Sequence, residues 1–142
     1  MILLDTNVLS ELMRQAPDPR VVRWLDSCPG GEVWVSAVTK AEILLGIRLL
    51  PRGRRRDGLA DLAGRMFEED FSGRCLPFDA GAAPRYAEIV ATRTRLGSPI
   101  SVEDAQIAAI ARAGGLTLAT RNVEDFSGID GLKVIDPWSS HV

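Results

Sequence analysis

A chain of 142 residues that is 46% hydrophobic and 25% charged reads as one ordinary globular domain, residues 1–142, built on a single core. Its net charge of −2, from 17 basic and 19 acidic residues, gives no sign of a polyanion binder, and no apolar run approaches the length of a membrane span. One histidine, His141, and two cysteines, Cys28 and Cys75, leave histidine triads, imidazole zinc sites and disulfide frameworks almost nothing to work with.

Met1 leads straight into MILL, an all-apolar run of the kind expected for a parallel strand buried on both faces. With no basic leader before it, the expected compartment is the cytoplasm, with both thiols reduced. Asp5-Thr6-Asn7 ends the strand with cap-forming residues, and Val8, Leu9, Leu12 and Met13 continue at helical spacing. Pro17 and Pro19 break the chain before a second helix, Val21 to Ser27, which Pro29-Gly30-Gly31 closes. Val33-Trp34-Val35 reads as a second strand. Ser36 is placed to cap a helix that runs to about Leu50, with Glu42 in its early turns. Pro51 to Arg56 reads as a basic loop, followed by an amphipathic helix from Asp57 to Phe71. A short strand at Cys75–Phe78 precedes a helix that Asp79 caps and that ends near Gly97. Ser101 caps the next helix with Asp104 in the capping-box position, and Gly114-Gly115 stops it. Strands at Leu116–Thr120 and Lys133–Ile135 flank a turn through Asn122 to Phe126. Strands and helices alternate throughout, which predicts an α/β fold: a mostly parallel sheet flanked by helices.

In such sheets ligands sit outside the carboxyl ends of the strands. Asp5 follows the first strand directly, and Asn122 comes two residues after the Leu116–Thr120 strand. Glu42 and Asp104 fall in early helical turns, near the positive end of a helix dipole. Taken singly, each is a common cap or first-turn acid. Converging from four places on one rim, they make an oxygen-rich cluster suited to a hard cation. No GxGxxG or GxxxxGK[ST] stretch is present, so dinucleotide and P-loop chemistry lack their fingerprints.

The stretches MILLDTNVLSEL, VSAVTKAEILLGI, ISVEDAQIAAIA and LATRNVEDF, in that order over nearly the whole chain, resemble the PIN-domain ribonucleases, specifically the VapC/FitB-like toxins of bacterial type II toxin–antitoxin pairs. The resemblance implies a PIN-like, Rossmann-like three-layer fold with an acidic pocket for Mg²⁺ or Mn²⁺. Asp5, Glu42 and Asp104 fall on the family's three main acidic positions and are expected to be both catalytic and metal-binding. Asn122 falls where many members carry a fourth acid; it is a secondary metal-binding candidate, with Asp125 as an alternative. The implied activity is hydrolysis of RNA by in-line attack of a metal-activated water, leaving a 5′-phosphate and a 3′-hydroxyl. The implied partners are RNA, a small DNA-binding antitoxin and a second copy of the chain in a homodimer. The antitoxin would lay a helix or tail over Leu9, Leu12, Ile43, Leu44 and Ile47 and reach the pocket with a basic residue.

Arg121, beside the site turn, and Arg93 are expected substrate-binding residues. Arg52, Arg54, Arg55 and Arg56 form a dense patch that is either solvated surface or an edge for phosphates or a partner. Trp24, Trp34, Trp138 and Tyr86 are expected in the core or an interface. Two other functions compete with the nuclease. One is a non-catalytic PIN-like subunit acting through antitoxin and DNA complexes. The other is an aspartate-phosphorylated domain, which lacks its second Asp beside Asp5 and has Arg121 where a lysine would stand.

Overall fold

Five parallel strands in the order β3-β2-β1-β4-β5 form the spine of the molecule, seen in a computed structural model that describes residues 1–139. The lone histidine, His141, lies outside the described residues. The strands are β1 (Ile2–Leu4), β2 (Val33–Ser36), β3 (Cys75–Leu76), β4 (Thr117–Ala119) and β5 (Val134–Ile135). All four pairings are parallel, with Leu3 of β1 level with Trp34 of β2 and Leu118 of β4. The helices are α1 (Thr6–Leu12), α2 (Pro19–Asp26), α3 (Ala37–Arg48), α4 (Arg54–Arg65), α5 (Ala83–Arg95) and α6 (Val102–Gly114).

Side chains alternate across a strand, so Leu3 and Leu4 of β1 enter different cores. Leu4 joins Val8, Leu9, Val21, Trp24, Ile43, Ala63 and Trp138, contributed largely by α1 to α4. Leu3 joins Ile89, Ile107, Ala108, Ile110, Leu118 and Phe126, contributed largely by α5 and α6. The expected parallel α/β sandwich is therefore what forms.

Local signals place most boundaries. Asp5, Asp18, Ser36 and Ser101 each cap a helix with the side chain accepting a backbone N–H. Gly115, at φ 69°, supplies the left-handed residue that ends α6. One expectation fails. Arg54, Arg55 and Arg56 are not loop but the first turn of α4, entered through Gly53 at φ 153° and ψ −174°, a backbone region essentially open to glycine alone. That helix stops at Arg65, and Met66–Asp70 continues as a short π-helical turn. Trp24 and Trp138 are buried as expected, whereas Trp34 is half-buried and its indole N–H has no partner among the described residues. Tyr86 is half-buried edge-on against Phe78. Cys28 and Cys75 are free and half-buried, and burial pushes both thiols up.

Candidate functional site

The order of the strands reverses at β1 and β4, the crevice where open α/β sheets bind ligands. Asp5 and Thr120 stand there, one residue beyond each strand. The Asp5 backbone N–H donates to Ala119 O at 2.9 Å, which fixes its place on the rim. Asp5 is buried and its carboxylate well held: Oδ1 accepts from Thr6 N at 2.8 Å, and Oδ2 from Thr120 Oγ1 at 2.7 Å and Asn7 Nδ2 at 3.3 Å. Asn7 also donates to Thr120 Oγ1 at 3.2 Å and accepts the Arg121 N–H at 3.2 Å. The DTN tripeptide thus ties β1 to the turn after β4.

A second polar chain leads away from Asp5. Thr6 Oγ1 donates to Glu42 Oε1 at 2.6 Å and lies 3.0 Å from Thr39 Oγ1. Thr39 is fully buried one turn after the Ser36 cap. Glu42 sits in the second turn of α3 rather than the first, so its position is held by the Thr6 hydroxyl more than by the helix dipole, which fades beyond the first turn.

Asp104 enters from α6, its backbone N–H held by Ser101 Oγ at 3.1 Å. Burial is the main cause that pushes its carboxyl up to about 6, and the charge of Asp5 comes next. The Ser101 hydroxyl opposes this, while Asp125 and Glu42 add to it. Asp5 is raised as well, by burial first, against the hydrogen bonds from Thr120 and Thr6, with Glu42 and Asp125 adding. Asp5, Glu42, Asp104 and Asp125 therefore share one electrostatic neighbourhood, although they come from four elements.

Residues 2–132 match the PIN domain family. The chain belongs to this family. Among its relatives is the toxin FitB of Neisseria gonorrhoeae, 43% identical over 97% of this chain and 99% of that protein. Another is the VapC ribonuclease Y4jK of Sinorhizobium fredii, 40% identical over 97% and 98%. The solved structure of FitAB bound to an IR36 DNA fragment contains a chain that superposes with a TM-score of 0.92, at 41% identity over 100% and 99%. The placement among VapC/FitB toxins follows from these matches over nearly full length.

Within this PIN domain the remaining candidates divide. Asn122 is exposed; its backbone N–H donates to Thr120 Oγ1 at 3.1 Å, and its side chain makes no hydrogen bond among the described residues. Asp125, in the 3-10 turn Val123–Phe126, is the one of the two whose charge is felt at Asp5 and Asp104. Arg121 is exposed, with its guanidinium 4.9 Å from the centre of the Trp138 ring. Arg93 differs from expectation. It is 92% buried and donates to the carbonyls of Asp125 at 2.6 Å, Ser127 at 3.1 Å and Ser98 at 3.4 Å. A guanidinium committed to three protein carbonyls braces the Asp125 turn against α5 and has little left for a substrate. Thr6, Asn7 and Thr120, which hold the carboxylates, and Thr39, which supports Thr6, are not singled out by sequence reasoning; the run of three polar residues after MILL is the signal for the first two.

A groove of about 1000 Å³ lies between α1, α3 and α4, lined by Thr6, by Glu42 in the first half of α3, and by Arg54 and Arg55, which open α4 just after α3 ends. Of the five apolar residues expected to receive a partner, Ile43 and Ile47 line it. Leu9 is fully buried and Leu12 packs against the core. Leu44 faces a second, smaller groove. Among the described residues no helix is long and apolar enough to cross a membrane.

Proposed function

We propose that this toxin is a Mg²⁺- or Mn²⁺-dependent endoribonuclease, with Asp5, Asp104 and Glu42 as its catalytic set. The observation that carries the reading is the convergence of acids on one rim: Asp5, buried just beyond β1, raises the Asp104 carboxyl in the first turn of α6, and the charges of Glu42 and Asp125 reach both. Carboxylates crowded together hold their protons more tightly, and a divalent cation favours their ionised forms instead, inverting the local electrostatics. The donors are all oxygen, as a hard cation requires. Among the described residues no three His, Cys, Asp or Glu side chains stand close enough to hold an ion by themselves. The donor set therefore suits an ion that takes Asp5 and Asp104 and keeps water in the rest of its shell.

When bound, such an ion would supply Lewis acidity to a phosphodiester oxygen and ease deprotonation of a water. The chain supplies the rest. Thr6, Thr120 and Asn7 hold Asp5 in place and leave one lone pair of Oδ1 for an ion. Thr6 occupies only Oε1 of Glu42, so Oε2 is available to orient the attacking water and take its proton. Asp125 adds negative charge where Asn122 cannot, and Arg93 keeps its turn in place. Arg121 is the remaining candidate for a substrate contact. The same groove serves a small DNA-binding antitoxin, whose basic residue would neutralise the pocket, and the toxin assembles as a homodimer. The likeness to a chain of the FitAB complex supports this partner.

The exposed amide of Asn122, where the family resemblance calls for a fourth acid, favours a second reading, in which the chain acts through complex formation without catalysis. Cleavage of single-stranded RNA by the purified chain separates the two. The nuclease reading expects cuts with Mg²⁺ or Mn²⁺, none with EDTA, and none from Asp104→Asn. Cleavage that persists in EDTA, or no cleavage with either metal, overturns it. Light scattering should give a dimer, and a small protein encoded alongside should co-purify; a monomer without such a companion contradicts the assembly.

A further inference from the structure

Arg54 and Arg55 open α4, where the helix dipole already places positive charge. Arg56 follows, and Arg52 precedes Gly53. Four guanidinium groups within five residues repel one another, and natural chains relieve such clusters with nearby carboxylates. Here none of the four makes a salt bridge or a side-chain hydrogen bond among the described residues, whereas Arg14, Arg20, Arg85 and Arg112 each have an acidic partner. The only acid in the first turn, Asp57, complements the dipole and leaves the cluster far from neutral.

The direction of this unneutralised charge matters. Arg54 and Arg55 line the same groove as Thr6 and Glu42, while Arg52 and Arg56 line the second groove on the far side of Ile47. Between the basic and acidic ends the walls are Met13, Ile43, Gly46, Ile47, Leu50 and Leu59, without a competing charge; Arg14, the other cation there, is held by the buried Glu11. Gly46 lies one turn beyond Glu42 on α3, and a Cβ added there would meet nothing within 4 Å. Glycine inside a helix costs about 1 kcal/mol relative to alanine, and nothing packed against it requires one. Its effect is to keep the passage from Glu42 to α4 wide.

We infer that Arg54 and Arg55 bind the phosphate backbone of the RNA strand on one side of the scissile bond, so that the groove is the track along which substrate enters the pocket. This rests on the nuclease reading above. A strand drawn along it meets positive charge first and carboxylates last, which confines neutralisation of the scissile phosphate to the metal site. The fit is to the sugar–phosphate backbone rather than to bases, because guanidinium pairs phosphate oxygens bidentately and the walls offer no aromatic platform. An acidic segment of the antitoxin is the other polyanion that could use these arginines, and the test distinguishes the two.

The experiment measures binding of a fluorescent, mixed-sequence single-stranded RNA, across a series of salt concentrations, to Asp104→Asn protein, which is expected to cut it too slowly to interfere. It compares that protein with the same chain carrying Arg54→Gln and Arg55→Gln, and with one carrying Arg54→Lys and Arg55→Lys. Loss of two phosphate contacts should flatten the slope of log affinity against log salt by about 1.4 and weaken low-salt binding about tenfold or more. The lysine pair should keep most of the slope. Removing like charges from a helix N-terminus should leave the melting temperature unchanged or raised, so a fall in binding is not a folding defect. An unchanged slope overturns the proposal, and does so decisively if the glutamine pair instead loses affinity for the antitoxin. Failure of the nuclease reading is seen separately, as absence of metal-dependent cleavage when all four arginines are present.

Discussion

Helices α3 and α6 each deliver one carboxylate to the pocket, and they are built in opposite ways. In α6, Ala105, Ile107, Ala108, Ala109, Ile110 and Ala111 are all buried, so Asp104 rides on a rod clamped into the core next to α5. In α3, the buried residues are Thr39, Ile43 and Ile47, while Leu44 and Leu45 are 39% and 58% exposed. Glu42 is positioned instead by the Thr6 hydroxyl, which the Thr39 hydroxyl in turn supports. The lesson is that packing holds Asp104 while a polar relay holds Glu42, and that the α3 side is the one left open to a substrate or partner.

The largest effect should come from the carboxylates themselves. Asp104→Asn is expected to lower RNA cleavage about a thousandfold, since a charged oxygen donor is lost from an otherwise intact shell. Glu42→Gln keeps the acceptor for Thr6 but cannot take a proton, and should lose about a hundredfold. Thr6→Val keeps Glu42 and removes only its anchor, so about tenfold is expected. Single-turnover cleavage rates rank the three; a Thr6→Val defect as large as that of Asp104→Asn would mean that the relay does more than orient Glu42.

Stability breaks the same comparison from the packing side. Ala108→Leu in α6 adds three carbons to a fully buried side chain and should cost about 1–3 kcal/mol. Leu45→Ala on the open face of α3 should stay within about 0.5 kcal/mol. Urea titrations of the two variants measure this, and equal losses would contradict the difference drawn between the helices.

The pH dependence follows from Asp104. Its folded carboxyl sits at about 6 against an ordinary value of 3.8, so between those values the folded chain binds more protons than the unfolded one. Metal-free stability should therefore fall as pH rises from about 4 to about 6, and Asp104→Asn should flatten that slope. Metal binding displaces the same proton, so affinity for Mn²⁺ should drop as pH falls below about 6. Thermal melts in EDTA across this range give the sign; stability rising with pH in wild type, and still rising in Asp104→Asn, would place the acid's perturbation elsewhere.

Much of this architecture could be read from residue order. MILL followed by DTN, Ser36 before an apolar helix, and Ser101 three residues ahead of Asp104 are local signals, and each element formed where they placed it. What stayed hidden depends on contacts between distant residues. Thr6 with Glu42 and Thr120 with Asp5 are 36 and 115 positions apart, and hydroxyls announce no partner in a sequence. Arg93 departs from expectation for a related reason: an arginine near a helix C-terminus usually faces water, but here Ser98 and the distant turn at Asp125 and Ser127 offer it carbonyls. Arg54 to Arg56 were read as loop because their charge opposes the helix dipole, a cost the fold accepts.

The smallest predicted effect concerns Asn122. Because its side chain is unengaged and exposed, Asn122→Asp should tighten Mn²⁺ binding by no more than about tenfold through added charge. Asn122→Ala should lower activity slightly without unfolding the chain. Identical affinities and rates in all three forms would leave Asp125 as the fourth acid.

The most direct measurement is a calorimetric titration of Mn²⁺ into wild-type protein and Asp104→Asn near pH 6.5, repeated in buffers of different ionisation heat. Wild type should bind one ion per chain and release protons to the buffer, while Asp104→Asn should show strongly weakened binding with little release. Equal affinity and equal proton release in the two proteins would contradict a metal site built on Asp5 and Asp104.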